Sequence, residues 1–140
     1  MTGATGPELC VGAIVVDDDR LLLVRRGRGR AAGSWSVPGG RVQAGETLAE
    51  AVVRELAEET GIEGVCGAFV GLVELLDDDT DAPHQVVLDF EVTLLEASEP
   101  HAGDDASEAR WVLLADVADY QLATGLAEFL HDHRIIATIA

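Results

Sequence analysis

The sequence predicts an α/β protein in which a mixed β-sheet lies between helices, an α/β/α sandwich folded as one domain over residues 1–140. Three observations predict this. An amphipathic helix with its own start and stop signals sits near the middle of the chain. Apolar strand candidates stand both before and after it. A second helical stretch closes the sequence. No repeat, linker or low-complexity tract divides the 140 residues, and that length suffices for one core.

Taken in order, residues 1–7 read as a tail of small residues. Leu9 to Val16 is an apolar strand, Asp17, Asp18 and Asp19 form a turn, and Arg20 to Arg26 returns as a second strand with the run Leu21–Val24 at its centre. The two together read as a hairpin. Trp35 to Val37 is a short strand, with Trp35 read as a packing residue rather than a stacking platform. Pro38-Gly39-Gly40 is a turn.

The helix is the best-specified element. Thr47 and Glu50 have the spacing of a capping box, so the helix begins at Leu48. Gly61 ends it, because glycine accepts the left-handed conformation just past a helix terminus. Ala49, Val52, Val53 and Leu56 form an apolar arc for packing. After the helix, Val65 to Leu76 and His84 to Leu95 are strands joined by an acidic turn at Asp77 to Asp81. In the second of them, Asp89 and Glu91 read as part of a polar face. Glu96 to Ala106 is a loop, Ala109 to Leu114 a strand, and Asp116 opens a short helix. Leu122 to Ile136 is the last helix, with Leu126, Phe129 and Leu130 inward.

Charge narrows the partners. The formal charge is −17, and the nine basic residues include no lysine. Such a chain is a poor fit to nucleic-acid backbones or anionic membranes, which need clustered cations. No export signal or membrane span is legible, so a cytoplasmic location is expected. Cys10 and Cys66 read as buried thiols. His84, His101, His131 and His133 read as surface residues, with no metal-ligand spacing among them.

At about 100° per residue, Glu55, Glu58 and Glu59 share one helix face. Stacked carboxylates repel each other unless something positive lies over them. Carboxylates with a backbone carbonyl are the ligand set of a hard divalent cation. A solvated acidic face would look the same. Arg25, Arg26, Arg28 and Arg30 form the one basic patch. It suits either a phosphate clamp or a loop that offsets local acid. Glu46 and Arg54 are a plausible ion pair between loop and helix.

From Gly40 the chain runs five residues to Glu46, seven more to Arg54-Glu55-Leu56, then Glu58-Glu59 and Gly61-Ile62. This stretch resembles the signature of the Nudix hydrolases at every fixed position. The resemblance implies the Nudix sandwich with its catalytic loop–helix–loop. It also implies hydrolysis of a phosphoanhydride bond in a nucleoside diphosphate linked to another group. It makes Glu55, Glu58 and Glu59, with the Gly40 backbone oxygen, ligands for Mg2+, with Mn2+ as a substitute, and gives Glu46–Arg54 a structural role. A further acid is expected before the Trp111 strand, at Asp105 or Glu108, with Glu55 as the rival base. Arg25, Arg26 and Arg28 would bind the substrate. The Gly103-Asp104-Asp105-Ala106 element is similar to that of ADP-ribose pyrophosphatases. The proline marker of that group is absent, Pro83 being the nearest, and Tyr120 is the one tyrosine. A MutT-type (d)NTP pyrophosphohydrolase is therefore the alternative, and a non-catalytic sensor the remote one. Homodimers are common in the family, but nothing in the sequence identifies an interface.

Overall fold

The computed structural model describes residues 6–28, 32–76, 84–103 and 105–137. Their order is β1 Glu8–Ile14, β2 Val16–Asp17, β3 Arg20–Arg26, β4 Trp35–Ser36, β5 Gly39–Arg41, α1 Leu48–Thr60, β6 Gly64–Leu75, β7 Gln85–Leu94 and β8 Ala106–Leu113. A 3-10 turn at Leu114–Asp119 and α2 at Leu126–Asp132 follow. Arg30 and the predicted Asp77–Asp81 turn lie outside the described residues. Among those described, no helix is long and apolar enough to cross a membrane.

The expected mixed sheet is present, in the order β5-β1-β7-β6, with β1 and β7 parallel and the outer pairs antiparallel. A second, antiparallel sheet was not foreseen. In it β8 pairs along the length of β3, while β2 and β4 pair with opposite ends of β3. This corrects the predicted hairpin. Both edges of β1 are occupied by β5 and β7, so β1 has no edge left for β3. The chain instead crosses at buried Val15 into the second sheet, where β2 makes the tight turn with β3.

Both strands are buried on two sides, which is why each reads as a continuous apolar run. Their side chains still alternate. Val11, Ala13 and Val15 of the first segment and Leu22 of β3 join Ala51, Val52 and Leu56 of α1 in one core. Ile14, Leu21 and Leu23 join Trp35, Val112, Phe129 and Leu130 in the other. Helices thus cover opposite faces of the structure, α1 on the first core and α2 on the second.

Several boundaries moved. On α1 the buried set is Ala51, Val52, Leu56 and Thr60, with Ala49 exposed and Val53 half-buried. The predicted glycine turn is extended chain: Gly39 and Gly40 pair with Gly12 and Val11 as β5. A Cβ on Gly39 would meet the Val11 carbonyl oxygen at 2.2 Å, so this close pairing requires glycine. The last helix is a short one, because Gly125 adopts φ 84 and resets the chain before it, while Leu122 bridges to Trp35. Cys10 is buried and Cys66 half-buried, and both thiols are free.

Candidate active site

The capping box forms as the sequence dictates. Glu50 N–H donates to Thr47 Oγ1 at 3.1 Å, and Thr47 N–H donates to Glu50 Oε1 at 2.9 Å. Gly61, at φ 72, ends the helix by donating its N–H to the Ala57 carbonyl. Thr60 is buried with its hydroxyl bonded to the Leu56 carbonyl at 2.7 Å, tying the last turn to the core. With both ends fixed and Ala51, Val52 and Leu56 packed, the opposite face of α1 points Glu55, Glu58 and Glu59 into a cleft of about 890 Å³. That volume suits a nucleotide-sized ligand.

Arg54 organises this wall. Its guanidinium donates to both carboxylate oxygens of Glu46, to Glu55 Oε2 and Glu58 Oε1 at 3.0 Å each, and to the Arg41 carbonyl at 3.0 Å. The Arg54 hydrogen bond holds the Glu46 carboxyl below its ordinary range, helped by the Gln43 N–H. Glu46, in turn, raises Arg54 further. The predicted Glu46–Arg54 contact is therefore present, and it extends to two of the three stacked glutamates. Glu59 Oε1 accepts the Gly39 N–H at 2.8 Å. A Cβ on Gly40 would lie 2.4 Å from the Glu55 carboxyl carbon, so only glycine lets β5 and this side chain meet.

Arg25, Arg26, Arg28 and Asp105 line the same cleft. Arg28 Nε donates to Asp105 Oδ1 at 2.7 Å, and Gly27 N–H donates to the Asp105 carbonyl at 2.7 Å. Arg41 also lines the cleft, a residue the sequence reading did not single out. A chain with few bases thus places Arg25, Arg26, Arg28, Arg41 and Arg54 around one cavity, an arrangement suited to phosphate. Glu108 does not line that cavity. It binds Arg110 at 2.7 Å and Arg25 at 3.4 Å, and Arg110 holds its carboxyl below the usual range. Trp35 is buried, edge-on to Tyr120, with the Arg110 guanidinium 4.9 Å from its ring centre. It packs, as expected.

The sequence reading missed Asp89. It took this residue and Glu91 as the polar side of an alternating strand. Glu91 is exposed, but Asp89 is 3% exposed and lines the cleft floor. Burial pushes its carboxyl up to about 7, and its Oδ1 has no hydrogen-bond partner among the described residues. The one signal available was an acid inside the apolar run Val86–Phe90.

The acidic wall fits a divalent cation by its chemistry. All its donors are oxygens, and Gly40 leaves the space in which the Glu55 carboxylate meets the β5 backbone. Among the described residues no three such side chains already converge as a closed cage. Arg54 is bonded to Glu55 and Glu58, and the Gly39 N–H to Glu59.

Comparison with known proteins agrees with this geometry. The family model described as NUDIX domain matches residues 6–133. An ADP-ribose pyrophosphatase of Methanocaldococcus jannaschii is 36% identical over 105 residues, 75% of this chain and 61% of that protein. An oxidized purine nucleoside triphosphate hydrolase of Danio rerio is 42% identical over 72 residues, 46% of each chain. The chain therefore spans less than two thirds of the length of these relatives. The crystal structure of a MutT NUDIX hydrolase from Burkholderia pseudomallei superposes with a TM-score of 0.77 at 28% identity, covering 90% of this chain and 97% of that one. With the loop–helix signature folded onto one wall of a cleft and the family model matched across nearly its full length, this chain belongs to the Nudix family.

Proposed function

We propose that the cleft hydrolyses a phosphoanhydride bond in a nucleoside diphosphate linked to a second group, with ADP-ribose or a related nucleotide sugar as the first candidate. The observation that carries this is the pairing of walls. The α1 carboxylates and Arg25, Arg26 and Arg28 line one cleft whose volume suits a nucleotide. The ADP-ribose pyrophosphatase relative, aligned over 75% of this chain, favours that substrate. The MutT structure and the zebrafish nucleoside triphosphate hydrolase favour a (d)NTP pyrophosphohydrolase as the second reading.

Glu55, Glu58, Glu59 and the Gly40 backbone oxygen would hold Mg2+, or Mn2+ in its place. That ion supplies charge neutralisation at phosphate and lowers the pKa of a water molecule. The protein's own part is positioning. Arg25, Arg26 and Arg28 bind phosphate oxygens and fix the anhydride in the cleft. Gly39 N–H keeps the Glu59 carboxylate on the β5 side. Of the acids that line the cavity, Asp105, with Glu55 as its rival, takes a proton from the attacking water as the bridging P–O bond breaks. Glu108 acts through Arg25 and Arg110 instead. A homodimer is a further proposal, supported by the exposed Val65, Phe69 and Leu72 of edge strand β6 and testable by light scattering.

The test is a Mg2+-dependent screen of ADP-ribose, NADH, sugar nucleotides, dinucleoside polyphosphates and (d)NTPs, with products identified. AMP and ribose 5-phosphate from ADP-ribose are the expected result. A nucleoside monophosphate and pyrophosphate from an NTP, with ADP-ribose inert, would install the second reading. Binding without any turnover would overturn both.

A further inference from the structure

One row of the mixed sheet is built almost without side chains. Gly39, Gly12, Asp89 and Gly71 stand opposite one another across β5, β1, β7 and β6. Residues in register across neighbouring strands share a face of the sheet. Asp89 is therefore the one side chain this row presents. Its carboxyl leans over Gly12, where an added Cβ would sit 2.0 Å from Asp89 Oδ1. At the Gly71 end the row is closed by Phe129 and His133, which occupy the space a Cβ would need. On the Gly12 side, Gly12, Gly39 and Asp89 itself line the cleft.

Apolar side chains lie nearby: Val87, two residues before Asp89 on the same face, pairs with Val73, and Val37 approaches Gly12. A carboxyl buried among such groups normally has a partner, because desolvation without a hydrogen bond is costly. Oδ1 has none among the described residues. Burial is what raises its pKa. Among the described residues Oδ1 thus meets no donor, and Asp89 lines the cleft, where a ligand could supply one. Its place fits. Two strand spacings, together roughly 10 Å, separate β7 from the β5 backbone that meets Glu55. Asp89 and the α1 glutamates line the same cleft, so a nucleotide with its phosphates against α1 would have its base within reach of Asp89.

We propose that Asp89 reads the nucleobase. Oδ1 accepts a hydrogen bond from an N–H on the edge of the base, and the apolar side chains around it pack on the base's faces. This rests on the nucleotide reading above. It adds a specificity-determining residue to the site.

The test is calorimetric binding of AMP, GMP, CMP and UMP to wild type, Asp89→Ala and Asp89→Asn, with ribose 5-phosphate as a ligand without a base. Wild type is expected to prefer one base by about tenfold or more. Asp89→Ala should flatten that ranking and leave ribose 5-phosphate affinity unchanged. Asp89→Asn, which keeps a carbonyl acceptor, should retain part of the preference. A folded Asp89→Ala protein with the wild-type ranking overturns the assignment, as does an equal loss for every ligand or a wild type without any ranking. A wild type that binds no nucleotide, with or without Mg2+, instead overturns the nucleotide reading on which the assignment depends.

Discussion

Acidic residues on two sides of the same cleft live under opposite conditions. On the α1 wall, Arg54 is bonded to Glu46, Glu55 and Glu58, and the Gly39 N–H meets Glu59. On the floor, Asp89 is more buried than any of them and its Oδ1 has no donor among the described residues. Along the wall, carboxylates meet a cation or a backbone donor, and the Arg54 hydrogen bond makes Glu46 titrate lower. The floor suppresses charge, and Asp89 titrates higher. Charge retained at the wall suits cations and phosphate chemistry. A carboxyl poised between its two protonation states under apolar cover suits recognition of a polar edge.

The most forceful way to break the comparison is to neutralise the wall. Glu58→Gln should cut Mg2+-dependent turnover about 100-fold or more while leaving the melting curve nearly unchanged. Near-normal turnover in a folded Glu58→Gln protein would remove the cation assignment. The floor is tested by pH. The folded state holds the Asp89 proton up to about pH 7, against 3.8 for an ordinary aspartate. Folding is therefore favoured by this group at low pH, and that contribution fades as pH rises between those values. Asp89→Asn should abolish that component. Denaturant unfolding of wild type against the variant should show a stability difference that shifts by roughly 2–4 kcal/mol over the interval. A pH-independent difference would place the carboxyl in a wetter site than the structure gives it.

Removing the organiser of the wall is the next step down. Arg54→Ala leaves Glu46, Glu55 and Glu58 without their shared donor and should cost about 2 kcal/mol of stability at neutral pH. Because Glu46 is lowered by Arg54, wild type should lose this advantage as pH falls below the ordinary carboxylate range. Smallest of all should be Glu108→Gln. Its carboxylate serves Arg25 and Arg110 outside the cavity, so turnover should change by less than about threefold. Asp105→Asn, inside the cavity, should lower it about tenfold or more. The reverse order in parallel kinetic assays would exchange their roles.

The sequence alone determined the parts of this protein that local rules govern. Thr47, Glu50 and Gly61 set the ends of α1 through bonds spanning three or four residues, so both termini were legible. The face shared by Glu55, Glu58 and Glu59 follows from helical pitch, and the spacing from Gly40 to Ile62 carried the family. Tertiary structure decided whatever depends on which edge or face is already taken. β1 could not form a hairpin with β3 because β5 and β7 occupy its two edges. The final helix shrank because Gly125 turns the chain while Leu122 pairs with Trp35. Glu108 was separated from Asp105 by arginine partners, one distant in sequence on β3 and one beside it on β8. Asp89 is the plainest case. Alternation along one strand cannot tell a solvent face from a cleft floor. Only glycines brought alongside from three other strands, with α2 closing one end, turn that position into a buried acid whose Oδ1 has no partner among the described residues.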